Sequence, residues 1–377
     1  MRKLCYVATI PAVVHAFLRE HIQAAAAAGY EVTVVCNNVD AHLLDGLHAR
    51  LVLIPIERKP SVWKDLWTLY LLIKLFSSEH FDIVHSHMPK TGLLAMLAAW
   101  FVRIPVRINT THGEVWATRS GWRRAALKMV DRLIGFLATR VLAVSPSQRD
   151  FLVREKVLPR HKMHIIGSGS ICGVNTSRFH PDPQARETVR SELSIDTGQI
   201  VVLFVGRLNR DKGMLDLAMA FSQLAEQNSD LILLLVGAEE DVPFAKIQEV
   251  CGVYRTQLRR VSFTSAPERY MAAADIFCLP SYREGFGLTI IESAACGVPT
   301  VASRIYGISD AVEDGKTGLL FPAGNAAELT QCLSKLVSDS KLRMQMGEAA
   351  RLRALALFPS EKITAGMLAL YSELLEQ

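Results

Sequence analysis

Val201-Val-Leu-Phe-Val205 and Leu231-Ile-Leu-Leu-Leu-Val236 are uninterrupted apolar runs, each too short for a helix and with no polar position on either face. A strand reads this way when helices cover both sides of its sheet, which is the situation in a parallel α/β sheet. The amphipathic stretch between the two runs supplies the crossover, a helix beginning near Met214. The same alternation continues outward. Downstream, strands are expected at residues 261–264, 276–279, 300–302 and 318–321. Upstream they are expected at 4–9, 31–36, 51–55, 83–86, 106–111, 141–144 and 164–166. The expected fold is α/β, two Rossmann-like doubly wound domains facing across a cleft.

The chain has 377 residues, enough for two domains of about 100 to 200 residues each. Half of the residues are hydrophobic and 21% are charged, which excludes collagen-like, low-complexity and largely disordered chains. Residues 1–170 carry 22 Lys/Arg against 12 Asp/Glu, whereas the remainder carries 20 against 25. The change of sign falls near GSGSICGVNTSRFHPDP (167–183), a Gly/Ser/Asn/Pro-rich stretch without hydrophobic period. The expected division is therefore an N-terminal domain at 1–172, a hinge at 173–185 and a C-terminal domain at 186–358. Helical apolar spacing at 361–375 gives residues 359–377 a closing helix packed back toward the first domain. Seven scattered cysteines without a C-x-x-C pair argue against a disulfide framework or a structural zinc. MRKLCYVATIP reads as a first strand rather than a signal peptide, and neither 66–76 nor 93–102 is long enough to span a bilayer. A cytoplasmic protein is expected.

Open α/β sheets bind ligands beyond the carboxyl ends of their strands, so the residues after each strand carry the information. After VVLFV comes Gly206-Arg207-Leu-Asn-Arg-Asp-Lys212-Gly213, two cations flanking a loop that enters a helix. Such a loop suits a diphosphate: Arg forks onto phosphate oxygens, Lys adds a point charge and helix N-terminal N–H groups point at the anion. Taken alone, such a loop is more often an exposed turn with solvated cations. After 276–279 comes Pro280-Ser-Tyr-Arg-Glu284-Gly285-Phe286-Gly287-Leu288-Thr289-Ile-Ile-Glu292. Gly285 and Gly287 leave room for close ligand approach, and a carboxylate beside a phosphate site is relieved by sugar and ribose hydroxyls that donate to it. The plainer alternative makes Glu284 a helix cap and Glu292 a solvated residue.

In the first half, Thr110-Thr111-His112-Gly113 and His85-Ser-His87-Met-Pro89-Lys90-Thr-Gly92 each follow a strand. The H-x-H spacing suggests a metal, but no third or fourth ligand is evident, and no metal is expected. Arg124, Lys128 and Arg132 fall at i, i+4 and i+8 beside Trp122, a basic helical stripe suited to anionic lipid headgroups or to another diphosphate, or else simply solvated. Nucleic acid is disfavoured, because no aromatic-basic recognition motif is present and the second half is acidic.

Three patterns together resemble the retaining glycosyltransferases of family 4, which have the GT-B architecture: G-R-x4-K-G (206–213), E-x7-E (Glu284 and Glu292) within SYREGFGLTIIESAACGVPTVAS, and the D-G-x-x-G string at 314–318. The resemblance covers nearly the whole chain. It implies that Arg207 and Lys212 bind the donor diphosphate, Glu292 the ribose hydroxyls and Glu284 the donor sugar. It implies further that Gly206 and the backbone from Gly285 through Phe286, Gly287, Leu288 and Thr289 lie against phosphate and sugar, and that Phe263 and Thr264 hold the base. His112 matches a family histidine that reaches the donor sugar, which makes His112, Arg207, Lys212 and Glu284 the expected catalytic set. The string H-x-H-x-P-K-x-G-L-L looks like a subgroup that builds bacterial surface polysaccharide on undecaprenyl diphosphate. One departure stands out: many relatives have Gly-Gly after the first strand, where this chain has Ile10-Pro11-Ala12-Val13.

The resemblance therefore implies a metal-independent retaining transferase. It moves a hexose or N-acetylhexosamine from a UDP-sugar to a lipid-diphosphate-linked saccharide in O-antigen or capsule synthesis, peripheral at the anionic inner face of the plasma membrane. The nucleotide sugar is a co-substrate and no cofactor is expected. The rivals are a GT-B UDP-N-acetylglucosamine 2-epimerase and a non-catalytic nucleotide-sugar-binding scaffold.

Overall fold

The computed structural model describes residues 1–37, 42–57 and 59–377. The chain forms two compact units, one of Met1–Cys172 with Ser360–Gln377 and one of Gly173–Pro359.

The first unit is a seven-stranded sheet of β1 (Lys3–Val7), β2 (Glu31–Cys36), β3 (Ala49–Leu53), β4 (Ile83–His87), β5 (Val106–Thr110), β6 (Arg140–Leu142) and β7 (Met163–His164). All pairings are parallel, in the order β3-β2-β1-β4-β5-β6-β7. Burial follows position: four of five β1 residues and all of β4 are buried, while every residue of edge strand β3 is half-buried or exposed. Short α1 (Pro11–Val13), a π-helical turn (Val14–Leu18) and α2 (Arg19–Ala27) lead from β1 to β2. α3 (Val62–Glu79), α4 (Pro89–Phe101), α5 (Gly121–Leu137) and α6 (Pro146–Arg154) follow. Leu72, Phe76, Leu94, Met96, Ile134 and Leu152 from these four close a core with Cys5, Val7 and Val84 on one sheet face. The opposite face packs Leu4 and Tyr6 against Leu18 and Ile22 and against Ile363, Leu370 and Tyr371 of the closing helix, Ser360–Glu376.

The second unit holds β8 (Ile200–Val205), β9 (Leu231–Val236), β10 (Leu258–Val261), β11 (Ile276–Leu279), β12 (Thr300–Ser303) and β13 (Gly318–Phe321). They too are parallel, in the order β10-β9-β8-β11-β12-β13. Its helices are α7 (Pro183–Glu192), α8 (Met214–Ala225), α9 (Phe244–Cys251), α10 (Pro267–Ala273), α11 (Leu288–Ala295), α12 (Ile308–Ala311), α13 (Ala326–Ser338) and α14 (Ser340–Leu357); the closing helix of the first unit is α15. Caps explain several boundaries. Asp182 accepts from Ala185 N ahead of Pro183, Asn325 from Glu328 N and Asp339 from Leu342 N, each satisfying an orphan donor of a first turn. Arg190 is buried, and with Arg186 it grips Asp275, which also accepts from Val201 N; this ties α7 to the start of β8 and to the residue before β11.

All thirteen runs read as strands overlap a strand, but two share only one residue with it. The strand expected at 164–166 is β7, Met163–His164. The strand expected at 261–264 is β10, Leu258–Val261, so Phe263 and Thr264 lie in the loop beyond it. Arg259 and Arg260 hide the apolar pattern because β10 is an edge strand, where charged side chains are tolerated and discourage further pairing. In each sheet the chain begins at a central strand, winds to one edge and returns to the other side, so the switch points lie between β1 and β4 and between β8 and β11. Ligands of doubly wound sheets sit at such points.

Candidate active site

At the β8/β11 switch point, adjacent strands send out two loops that meet backbone to backbone. Gly213 has φ +70°, and a Cβ built on it would lie 2.1 Å from the Pro280 carbonyl oxygen, so only glycine fits there. Tyr282 N donates to Asp211 O at 2.8 Å, and Arg283 Nη2 pairs with Asp211 Oδ2 at 3.0 Å. This junction brings Lys212 and Glu284 together: Nζ pairs with Oε1, which also accepts from Ser281 Oγ at 3.0 Å. Gly287, at φ +78°, turns the second loop into the N-terminus of α11. Leu288 and Thr289 are half-buried in its first turn, while the Phe286 ring is buried against Phe358, so only the Phe286 backbone is available to a ligand.

Arg207 is placed differently. Its Nη1 lies 2.5 and 2.6 Å from the two carboxylate oxygens of Glu240, which also accepts from Asn209 Nδ2 at 2.7 Å. Sequence reasoning missed Glu240, although the acidic run Glu239-Glu240-Asp241 just after the β9 exit was a usable signal. The pair is largely exposed, so it adds little stability and a phosphate can displace the carboxylate.

A third group surrounds Glu292, one turn into α11. Burial raises its pKa to about 7; Arg178 opposes that shift and Glu268 adds to it. Arg178 bonds Glu268 Oε2 at 2.7 and 2.9 Å and Ser265 O at 2.5 Å, holding the loop that carries exposed Phe263 and half-buried Thr264. Arg178 sits in the 167–183 stretch, where sequence alone gave it no task. Glu292 is therefore half-buried rather than solvated.

In the first unit, alternation along β4 puts His85 and His87 on one face, where their rings stack with centroids 4.4 Å apart. His87 Nδ1 is 3.1 Å from His112 Nε2, and Phe17, from the π-helical turn, packs 5.5 Å from the His112 ring. His85 bonds Thr110 Oγ1 at 2.7 Å and Tyr371 OH at 2.6 Å, and Tyr371 in turn bonds Tyr6 OH at 3.0 Å. Burial lowers the pKa of His112 to about 4 and those of His85 and His87 well below the ordinary value, so all three rings are neutral near pH 7. Among the described residues no group of three or more His, Cys, Asp or Glu is arranged to hold a metal ion.

Two of the three cations of the basic stripe are turned inward, contrary to the sequence expectation, while Arg132 is exposed. Arg124 and Lys128 both pair with Glu155, at 2.7 and 2.8 Å, and lie over the buried Trp116 ring, while Arg132 donates to Lys156 O. Helical spacing aligned the three cations but could not reveal the carboxylate of Glu155, just past the end of α6, that takes two of them.

Two doubly wound parallel sheets in one chain, the second with cations and carboxylates gathered at its switch point, define the GT-B class of glycosyltransferase. Residues 185–353 match the family of glycosyl transferases group 1, and residues 14–177 match glycosyltransferase family 4. The chain is 28% identical to the capsular polysaccharide biosynthesis glycosyltransferase CapM of Staphylococcus aureus, over 90% of this chain and 91% of that one. It is 30% identical to the alpha-maltose-1-phosphate synthase of Mycolicibacterium smegmatis, over 78% and 80%. It is 26% identical to the UDP-Gal:alpha-D-GlcNAc-diphosphoundecaprenol alpha-1,3-galactosyltransferase of Escherichia coli, over 84% and 82%. In structure it is similar to sucrose-phosphate synthase from Thermosynechococcus elongatus, with a TM-score of 0.81 over 100% of both chains at 24% identity. The chain belongs to the family 4 glycosyltransferases.

Proposed function

We propose that this glycosyltransferase moves a hexose or N-acetylhexosamine from a UDP-sugar, with retention and without a metal ion, to a saccharide carried on a lipid diphosphate, in the assembly of surface polysaccharide. The observation that carries the reading is the Lys212–Glu284 pair, held between two strand exits with Arg207 on the same loop. CapM and the diphosphoundecaprenol galactosyltransferase support the pathway and the kind of acceptor by their names.

The chemistry follows from charge. Breaking the bond from anomeric carbon to diphosphate leaves negative charge on the departing phosphate. A fixed ammonium, a guanidinium and the first-turn N–H groups of α11 stabilise it without reorganising; loss of one such donor typically costs about 100- to 1000-fold in rate. Lys212 and Glu284 neutralise each other before the donor arrives. On binding, the ammonium turns to phosphate, and the carboxylate accepts from a sugar hydroxyl that compensates its lost partner. Glu292 accepts from the ribose, the Phe263–Thr264 loop receives the base, and neutral His112 hydrogen-bonds the transferred sugar. Retention proceeds by attack on the face the diphosphate leaves, with a donor phosphate oxygen taking the acceptor proton, so no side chain need serve as nucleophile.

The test is incubation with UDP- and GDP-sugars together with a synthetic lipid-diphosphate sugar or a soluble sugar phosphate, reading product mass and anomeric configuration. Retained configuration on the lipid-linked acceptor is expected. Lys212→Ala and Arg207→Ala should each lose most transfer in a folded protein. Near-normal turnover in both variants, or isomerisation of the donor without acceptor, would refute the reading.

A further inference from the structure

Four of the chain's five tryptophans stand on the outside of the first unit, on the α3–α4–α5 layer: Trp63 is 82% exposed and Trp122 76%, with Trp67 and Trp100 each more than half exposed. They do not stand alone. On α3, Val62, Leu66 and Tyr70 share their exposure; Phe101 ends α4; and Met129, Leu133 and Phe136 continue along α5. These helices already bury their inner faces in the core, so the outward aromatics contribute nothing to it. Soluble proteins rarely expose apolar patches beyond a few hundred Å², and Trp and Tyr favour the headgroup level of a bilayer, where one end of the ring is apolar and the other wet.

Charge points to the same occupant. The acids of the three helices are all engaged within the unit: Asp65 with Lys90, Glu79 with Arg50 and Lys3, and Asp131 accepting from Trp116 Nε1. Lys74, Arg103 and Arg123 remain exposed, Arg123 lying over the Trp122 ring. Phe136 also forms the rim of a cavity of about 400 Å³, lined by Arg107, Arg140, His161 and Lys162 and by no acidic residue. Burial and the like charges of Arg107 and Arg140 together lower the Lys162 pKa, a crowding that an anion would relieve.

We propose that the outer face of α3, α4 and α5 is a docking surface for an anionic lipid bilayer, with the cationic cavity beside Phe136 receiving a phospholipid headgroup. No helix of the described residues is long and apolar enough to cross a membrane, so the face lies on the bilayer with its aromatics in the headgroup region. The proposal deepens the lipid-linked acceptor reading and rests on it for its purpose, whereas its binding test requires no acceptor.

The experiment measures co-sedimentation and tryptophan emission of the full chain with vesicles of phosphatidylcholine alone or mixed equally with phosphatidylglycerol, at low salt. Binding and a blue shift are expected with phosphatidylglycerol. The variant W63S/W67S, and separately Phe136→Ser, should weaken partitioning at least about tenfold while leaving the melting temperature and transfer to a detergent-dissolved acceptor unchanged. Arg123→Gln should reduce the preference for the anionic vesicle about fivefold. Absence of binding to phosphatidylglycerol vesicles, or binding that neither aromatic variant weakens, overturns the proposal. So does a dimer in light scattering that these variants convert to monomer, since the face would then join two copies. Vesicle binding without any glycosyl transfer sinks the functional reading and leaves this one standing.

Discussion

His87 Nδ1 and His112 Nε2 lie 3.1 Å apart, with ring centroids at 5.3 Å and the planes crossed at 65°. One nitrogen must donate and the other accept, because burial keeps both rings neutral near pH 7. His87 thus fixes which nitrogen of His112 carries the proton and so, in the role proposed for His112, whether it offers the sugar hydroxyl a donor or an acceptor. His87→Leu should lower kcat by about 5- to 150-fold, the rate equivalent of a buried hydrogen bond worth about 1 to 3 kcal/mol, with little change in the donor KM. His87→Asn, whose amide reaches the place of Nδ1, should restore most of the rate. Equal kcat in the Leu and Asn variants would rule out a positioning role.

The apolar strand runs, the strand-exit cations and the G-x-G turn into α11 are local features, so their positions were legible in the sequence. The Lys212–Glu284 meeting was implied only by the family resemblance, since the two lie 72 residues apart. Tyr371, which bonds His85 across 286 residues, carried no signal, because nothing in a helical Tyr announces a buried histidine on a distant strand. The Arg124/Lys128 stripe failed for the reason that helical spacing predicts alignment but not partners. The β10 shift shows the same limit from the other side, since edge strands need not look apolar.

Acid should destabilise the protein through its first unit. His21, His85, His87 and His112 all have folded pKa values below the unfolded value of 6.5, with burial as the leading cause. The unfolded chain therefore binds protons first. Stability is at full value above about pH 6.5 and falls as pH drops toward about 4. The melting temperature, followed from neutral pH to about pH 5, should decline, and His87→Asn should flatten that decline. A melting temperature that stays level over this range would contradict the burial of the cluster.

Glu292 titrates in the opposite sense. Burial raises its carboxyl from 4.5 to about 7, so the ligand-free protein holds it partly protonated at neutral pH. If ribose hydroxyls donate to its carboxylate, UDP binding favours the ionised form and releases a proton below about pH 7. Affinity should then rise by up to about tenfold per pH unit between pH 5 and 7 and level off above. Calorimetry in two buffers of different ionisation enthalpy counts the proton. Glu292→Gln should bind more weakly and lose this component, whereas the nucleotide's own phosphate titration is common to both proteins and cancels. Identical pH profiles would remove Glu292 from the ribose site.

Gly213 offers a test of the junction itself. A methyl group there would meet the Pro280 carbonyl oxygen at 2.1 Å and its carbon at 2.9 Å, both backbone atoms that no rotamer change can move aside. Gly213→Ala must therefore part the loops that hold Lys212 against Glu284, in addition to the cost of about 1 to 2 kcal/mol for a side chain at positive φ. Gly315 separates the two effects: its φ is +78°, but an added methyl group meets nothing within 4 Å. Both Ala variants should lower the melting temperature by a few degrees, about 2–4 °C per kcal/mol for a unit of this size. Only Gly213→Ala should weaken UDP binding, by tenfold or more, because it moves the ammonium away from the phosphate. If both variants bound UDP as the parent does, the diphosphate would have to be held somewhere other than the β8/β11 loops, and the roles given to Lys212 and Glu284 would fall with it.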